Sequence, residues 1–470
     1  MIEFATTTTN RILPWIVLLS LLVSVKGYAQ DSEDFHPPSI IPDRIVLSLT
    51  QYPTSEIGVN WRTSSTVTGS SVEIAKADAS PNLAEGVRSY PADYSGFRTE
   101  FDTAHHHGVI IKELNSDTQY MYRVGDTTSM AWSEWSHFRT AKREGGFSFL
   151  YLGDAQNDLK SMWSRAIRGA YSKRPDTDFI FHAGDLVDAA NSDAEWGDWF
   201  YAGGWIHNSV PTLACTGNHE YARRQDGSYD LSEFWQRTFS FPTNGPKGLD
   251  ETTFYIDYQN TRFIALNTQA FLTDPTAAER QTRWLKSTLK NHEQKWTIVL
   301  MHHPIYSSKS GRDNLQMREA FLPLFEKHNV DLVLQGHDHT YARGTSEPMA
   351  QGQNVLDGPM FVVSVSGPKM YDLSLEEWMA RGAADVQLYQ ELDVGPTSIA
   401  FKAYLVTGEL YDAFELHKMN DGRKIFVDQT PEDQPELLEV PVRMRDKLTG
   451  EDWKRYKDRF AKYKQRRKGN

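Results

Sequence analysis

Five short segments set Asp, Asn or His directly behind an apolar run: Gly153-Asp154-Ala155-Gln156, Gly184-Asp185-Leu186-Val187-Asp188, Gly217-Asn218-His219-Glu220, Met301-His302-His303-Pro304 and Gly336-His337-Asp338-His339. Carboxylate oxygen and imidazole nitrogen are ligands that transition-metal ions accept, and a neutral amide oxygen adds a ligand without adding charge. One such segment would mean little, because Asp behind a strand often caps a turn or a helix. Five in sequence, each at the exit of a β-type run, bring a consistent donor set to the edge of one sheet. Glycine before the donor in four of the five permits a tight turn and a close backbone approach. Two cations held about 3.5 to 4 Å apart by such donors acidify a shared water and stabilise charge on ester oxygens.

The elements that must position these donors follow from the hydrophobic pattern. From Phe147 onward, apolar runs at 147–152, 179–182, 263–266, 297–301 and 330–334 alternate with helical stretches at 159–172, 277–291 and 315–329. Buried strands alternating with amphipathic helices predict an α/β layered domain with its chemistry just after the strand ends. Between Arg44 and Thr140 the pattern differs: short alternating stretches such as Ile57-Gly58-Val59-Asn60-Trp61 are separated by Ser, Thr, Gly, Asn and Pro clusters. That predicts an all-β sandwich with Trp61 in its core. The triplet His105, His106, His107 lies in this region, and consecutive strand residues point to opposite faces, so the three cannot share one ion. The polar segment 142–146 suits a linker.

The chain has 470 residues, which predicts two or more domains. Hydrophobic residues at 39% and charged residues at 24% describe a globular protein. A net charge of -12 argues against nucleic acid as a specific partner, although a locally positive site could hold a phosphate. Arg11, the apolar run 12–25 and the small residues Gly27 and Ala29 read as a cleavable export leader over residues 1–29. That run is shorter than the roughly twenty residues of a spanning helix, so no transmembrane segment is expected after its removal. The location expected is periplasmic or extracellular. Cys215, the one cysteine, cannot form an internal disulfide and reads as a small core residue. The tail is basic, with Trp453, Tyr456, Phe460 and Tyr463 at helical spacing. Such a helix packs on its own chain or on a second subunit, or else attaches to an anionic surface, the first being favoured.

The ordered donor set resembles that of the calcineurin-like metallophosphoesterases. The segments Leu114-Asn115-Ser116-Asp117-Thr118-Gln119-Tyr120 and Phe138-Arg139-Thr140 resemble a fibronectin type III corner and the close of the purple acid phosphatase N-terminal domain. Between the leader over 1–29 and the basic, helical extension over 419–470, both read from the residues, the resemblance implies a fibronectin type III-like domain over 37–140 and a metallophosphoesterase domain over 145–418. The fold class is then an α/β four-layer β-sandwich flanked by helices, preceded by an all-β sandwich. Also implied are two metal ions, iron, zinc or manganese, with Asp185 bridging them. Asp154 and His339 would complete much of the first shell, and Asn218, His302 and His337 would hold the second metal.

His219 would steady the phosphoryl group or protonate the leaving oxygen. Two positions depart from the family. Gln156 stands where the general family has a histidine ligand, so that it either ligates weakly or stands behind the ligands. Asp188 stands where purple enzymes carry the tyrosine that colours them, so no purple colour is expected. Asp188 either ligates the first metal or orients His219 from outside the shell, the second being favoured. His303 is assigned a supporting role at the substrate, and Arg312 is a candidate phosphate contact. The function implied is an exported phosphomonoesterase acting on a small phosphorylated substrate, through in-line attack by a hydroxide shared between the metals. A nucleotide or diester hydrolase, or an extracellular binding module with a weakened metal site, are the alternatives.

Overall fold

The run Phe147–Leu152 is buried at all six positions, as a strand covered on both faces must be. In the computed structural model, which describes residues 36–82, 86–348 and 354–469, it pairs in parallel with Phe179–His182 and antiparallel with Leu388–Val394. Thr212–Ala214 extends the sheet on one side. Ser398–Leu405, Leu410–Lys418 and Lys424–Asp428 extend it on the other, so pairing continues past Lys418. A second sheet of seven strands runs in the order Phe254–Tyr258, Thr261–Leu266, Trp296–Met301, Leu332–Gln335, Met360–Val363, Tyr341–Gly344, Met379–Ala383.

Strand periodicity builds the layers. In Thr261–Leu266 and Trp296–Met301, the side chains of Phe263, Ala265, Ile298 and Leu300 join Phe149, Phe179 and Leu392 in the core between the sheets. Their alternates Ile264, Leu266, Val299 and Met301 pack outward on Leu285, Phe321 and Phe325 of the helices Pro275–Lys290 and Leu315–Lys327. The helices Ser164–Lys173 and Asp193–Gly203 flank the first sheet through Ala166, Ile167, Trp196 and Trp199. The result is helix, sheet, sheet, helix. The helical stretch expected at 159–172 opens as a π-turn, Leu159–Trp163, before it becomes α-helical.

The N-terminal region is a β-sandwich around Trp61, Val72, Tyr120, Tyr122 and Val124. The Tyr120 hydroxyl accepts the Asn115 N–H at 2.9 Å, which ties the strand Gln119–Asp126 to the loop before it. The histidine triplet lies on the strand Thr103–Ile111. His107 stacks on Trp61, and His105 bonds the Val67 carbonyl on the same face, whereas His106 turns away toward Phe97 and Phe234. The sandwich is also joined to the α/β layers by backbone. Asp43–Ser48 pairs with Thr212–Ala214, so that one sheet of twelve strands runs through both regions. Beside this seam, Arg62 is buried between Asp43 and Asp193, and Arg44 also pairs with Asp193.

Trp235 and Phe241, between the strand Tyr221–Arg223 and the strand Phe254–Tyr258, are buried in the main core. The tail forms the helix Gly450–Gly469, with Tyr463 buried and Tyr456 and Phe460 packed on the outer core of the chain itself. The leader-like segment 1–29 lies outside the described residues.

Candidate metal centre

The donor-bearing turns leave strand ends of both sheets and meet, rather than lining the edge of one sheet as the sequence suggested, because the two stacked sheets end side by side. Asp154 follows Phe147–Leu152, Asp185 follows Phe179–His182, and Asn218 follows Thr212–Ala214. His302 follows Trp296–Met301, and His337 and His339 follow Leu332–Gln335. Two overlapping groups result, Asp154–Asp185–His339 and Asp185–His302–His337, each with its ligand atoms within 4.8 Å of one another. Asp185 belongs to both, as a carboxylate bridging two cations would. Asp185, His337 and His339 all hold positive φ, at 50°, 72° and 48°. Left-handed backbone at three non-glycine residues is a conformational cost that the surrounding hydrogen bonds must hold in place. The glycines fit the close approach: a Cβ on Gly217 would lie 2.1 Å from an Asp185 oxygen, and one on Gly336 would lie 2.3 Å from an Asp154 oxygen.

The chemistry of the donors calls for cations. His302 donates Nδ1–H to the Ala183 carbonyl at 2.8 Å, which directs the lone pair of Nε2 inward. Nε2 then lies 3.1 Å from Asp185 Oδ2, 3.2 Å from Asn218 Oδ1 and 3.1 Å from His337 Nδ1. His339 likewise gives Nδ1–H to the Lys369 carbonyl and turns Nε2 to Asp154 Oδ2 at 3.2 Å. That Asp154 oxygen is buried and receives no hydrogen bond. Acceptors gathered around acceptors are stable only with positive charge between them. The titration tendencies agree. Burial raises the Asp154 carboxyl well above the usual range, and nearby Asp185 adds to it. Burial disfavours a charged His302, yet Asp185 and Asp154 pull its pKa up to about 9. Burial also opposes ionisation of Asp185, but His302 and His219 hold its carboxyl low.

Gln156 is fully buried, and its Nε2 faces Asp185 Oδ2 at 3.4 Å while its Oε1 accepts from Lys369 at 3.1 Å. His219 donates its backbone N–H to Asp185 Oδ1 at 2.8 Å, and its Nδ1 meets the Asp188 main-chain carbonyl at 2.5 Å. The Asp188 carboxylate stands farther off, at 3.6 Å from Nδ1. The His219 ring is therefore oriented chiefly by a carbonyl, and Asp188 Oδ1 lies between His219 and Lys369. His303 is buried beneath His337, with ring centroids 4.1 Å apart, and bonds Thr268. Arg312 donates to the His337 carbonyl and to Asp338, so its guanidinium is engaged within the protein.

Two residues that the sequence reading left without a role prove central. Glu220, fully buried, accepts the backbone N–H groups of Gly217, Asp185 and Leu186 at 2.6, 2.9 and 2.8 Å, locking the Asn218 turn to the Asp185 turn. Asp338, between two histidine donors, accepts from Ser307, Ser308, Lys309 and Arg312 and fastens the 307–312 loop to the centre. Their position between ligand residues of a donor motif was the signal the sequence offered for both; their burial was not.

Two sheets flanked by helices, with carboxylate, amide and imidazole donors meeting beyond their strand ends, form a candidate two-metal centre. Residues 147–341 match the family model described as calcineurin-like phosphoesterase, and residues 42–140 match the purple acid phosphatase N-terminal domain. The chain thus carries a calcineurin-like phosphoesterase domain behind a purple acid phosphatase N-terminal domain. Among its relatives is purple acid phosphatase 5 of Arabidopsis thaliana, 27% identical over 69% of this chain and 77% of that protein. Another is a probable inactive purple acid phosphatase 1 of the same plant, 24% identical over 59% of this chain; the chain spans about half of that relative's length, 51%. The solved structure of purple acid phosphatase PPD1 from yellow lupin (Lupinus luteus) seeds shares the fold, with a TM-score of 0.67 at 19% identity over 81% of this chain and 75% of that one. Among the described residues no helix is long and apolar enough to cross a membrane.

Proposed function

We propose that this protein is an exported two-metal phosphomonoesterase. The observation that carries the reading is the meeting of Asp154, Asp185, Asn218, His302, His337 and His339, with imidazole lone pairs and an unbonded carboxylate oxygen turned toward one another. When bound, cations at such a pair of sites acidify water and neutralise charge on phosphoryl oxygens. Asp154, Asp185 and His339 would hold one, and Asp185, Asn218, His302 and His337 the other. The Ala183 and Lys369 carbonyls fix the two histidine tautomers, which keeps Nε2 basic toward the centre. His219, with Nδ1 committed to the Asp188 carbonyl, keeps Nε2 for the ester, to steady a phosphoryl oxygen or to give a proton to the leaving group. Hydrolysis by direct in-line attack of water would invert phosphorus and leave no phosphoenzyme. A monoester as substrate draws support from the phosphatase relatives, and export from the leader-like residues 1–29.

Metal analysis combined with hydrolysis of a generic aryl phosphate tests this. About two metal ions per chain are expected, with activity lowered roughly 100-fold or more in Asn218→Ala and His219→Ala. A wild type that takes up no metal and hydrolyses nothing refutes the reading. A second reading, a binding module with a weakened centre, is favoured by the neutral Gln156 and by the similarity to a relative named as probably inactive. Metal uptake and phosphate binding without turnover would support it.

A further inference from the structure

The segment Ser366-Gly367-Pro368-Lys369 wraps the Asp154–His339 side of the centre. Ser366 and Gly367 both donate backbone N–H to the Asp154 carbonyl, and the Lys369 carbonyl accepts from His339 Nδ1. A Cβ on Gly367 would lie 2.4 Å from the Ala155 carbonyl, so the strap lies as close as glycine allows. This backbone carries the Lys369 side chain to the residues beside the donors. Its ammonium donates to Gln156 Oε1 at 3.1 Å and lies 3.5 Å from Asp188 Oδ1, with 29% of the side chain open to solvent. A closed circuit of contacts follows: Asp185 to Gln156, Gln156 to Lys369, Lys369 to Asp188, Asp188 to His219, and His219 back to Asp185.

A lysine with three donors is here held by one neutral amide and one carboxylate that stands beyond hydrogen-bond distance and also faces His219. With cations in the centre, that ammonium faces like charge, which a bound anion offsets. We propose that Lys369 is the chain's own cation for the phosphoryl group, gripping a non-bridging oxygen of a monoester dianion and setting the preference for monoesters over diesters. The proposal deepens the phosphatase reading and rests on it. A monoester phosphoryl group carries up to two negative charges and a diester one, so a further ammonium favours the monoester. Asp188 and Gln156 are then positioning residues for the lysine, and Asp188 serves His219 as well.

The test is Lys369→Met, with Lys369→Arg as the charge-retaining control, in the full metal-loaded chain. In Lys369→Met, kcat/KM for an aryl monoester is expected to fall about 10-fold or more, whereas that for a bis-aryl diester changes less than about 3-fold. Calorimetric affinity for inorganic phosphate is expected to weaken about 10-fold, with metal content unchanged and partial recovery in Lys369→Arg. An equal fall on both esters, unchanged phosphate affinity, or lost metal in Lys369→Met would overturn the proposal. A wild type that binds metal and phosphate yet hydrolyses neither ester would sink the catalytic reading, while the phosphate titration still decides the role of Lys369.

Discussion

At the residue scale, the centre is held by a buried carboxylate that is not among its donors. The Glu220 carboxylate takes three backbone N–H groups from two turns, in a place where burial, with Asp185 nearby, drives its pKa upward. A glutamine is nearly isosteric, but its NH2 would confront at least one of those donors. Glu220→Gln should therefore cost about 1 to 3 kcal/mol, the range for a buried group left unsatisfied. Urea denaturation measures that cost, and metal titration should show weaker binding because the Asn218 turn is no longer fixed to the Asp185 turn. An unchanged midpoint together with unchanged metal affinity would mean that the turns hold themselves.

At the scale of elements, the terminal helix Gly450–Gly469 braces the strap that carries Lys369. Its Arg459 pairs with Asp372 at 3.1 Å, and Arg466 donates to the Leu375 carbonyl at 2.7 Å, both just beyond the Lys369 and Tyr371 positions. The anchor is Tyr463, 1% exposed, with its hydroxyl on Glu436 at 2.6 Å. Tyr463→Ala removes a buried ring and should destabilise by about 3 kcal/mol. Thermal melting checks the size of the loss, and faster hydrogen exchange across 369–378 should accompany it. The aromatic stripe of this basic helix is thus spent on its own chain, which favours the packed reading over surface attachment.

At the scale of the whole molecule, the two regions over residues 42–140 and 147–428 share one sheet. Because Asp43–Ser48 and Thr212–Ala214 share a ladder, cutting the chain at the 142–146 segment would expose a sheet edge together with the Asp193 and Phe234 surfaces. Residues 142–470 expressed alone should aggregate or melt well below the full chain, as solubility and calorimetry can show. Two buried histidines also make stability depend on pH. Burial, with His105 beside it, lowers His107 to about 4, and burial lowers His207 to about 4. Both are neutral in the fold and ionise near 6.5 when unfolded, so the unfolded chain binds more protons between those values. The stability that these two histidines contribute is therefore full above pH 6.5 and declines as pH falls toward 4, by up to about 3 kcal/mol for each, while the raised carboxyls of Asp154 and Glu220 act in the opposite sense. Melting of the metal-stripped chain across this range should show wild type losing stability relative to His207→Phe as pH falls. A difference between the two that stays constant from pH 7 to 4 would contradict the assignment.

Much of this was legible in order and period alone. The five donor segments, the buried alternation of 263–266 and 297–301, and the Tyr120 corner are local signals: a strand has period two, and a donor behind it must leave at the sheet edge. The same local rule placed His105 and His107 on one face and His106 on the other. What proximity across the fold decides could not be read that way. Lys369 meets Gln156 across 213 residues of chain, and the ladder between Ser48 and Thr212 spans both regions. Glu220 and Asp338 look like ordinary charges in sequence, and only packing shows that each is buried with backbone donors of other turns aimed at it. Residue type and periodicity fix which donors exist and on which strand end they lie; which of them share an ion, and which buried charge holds them there, is settled by where separate turns come to rest against one another.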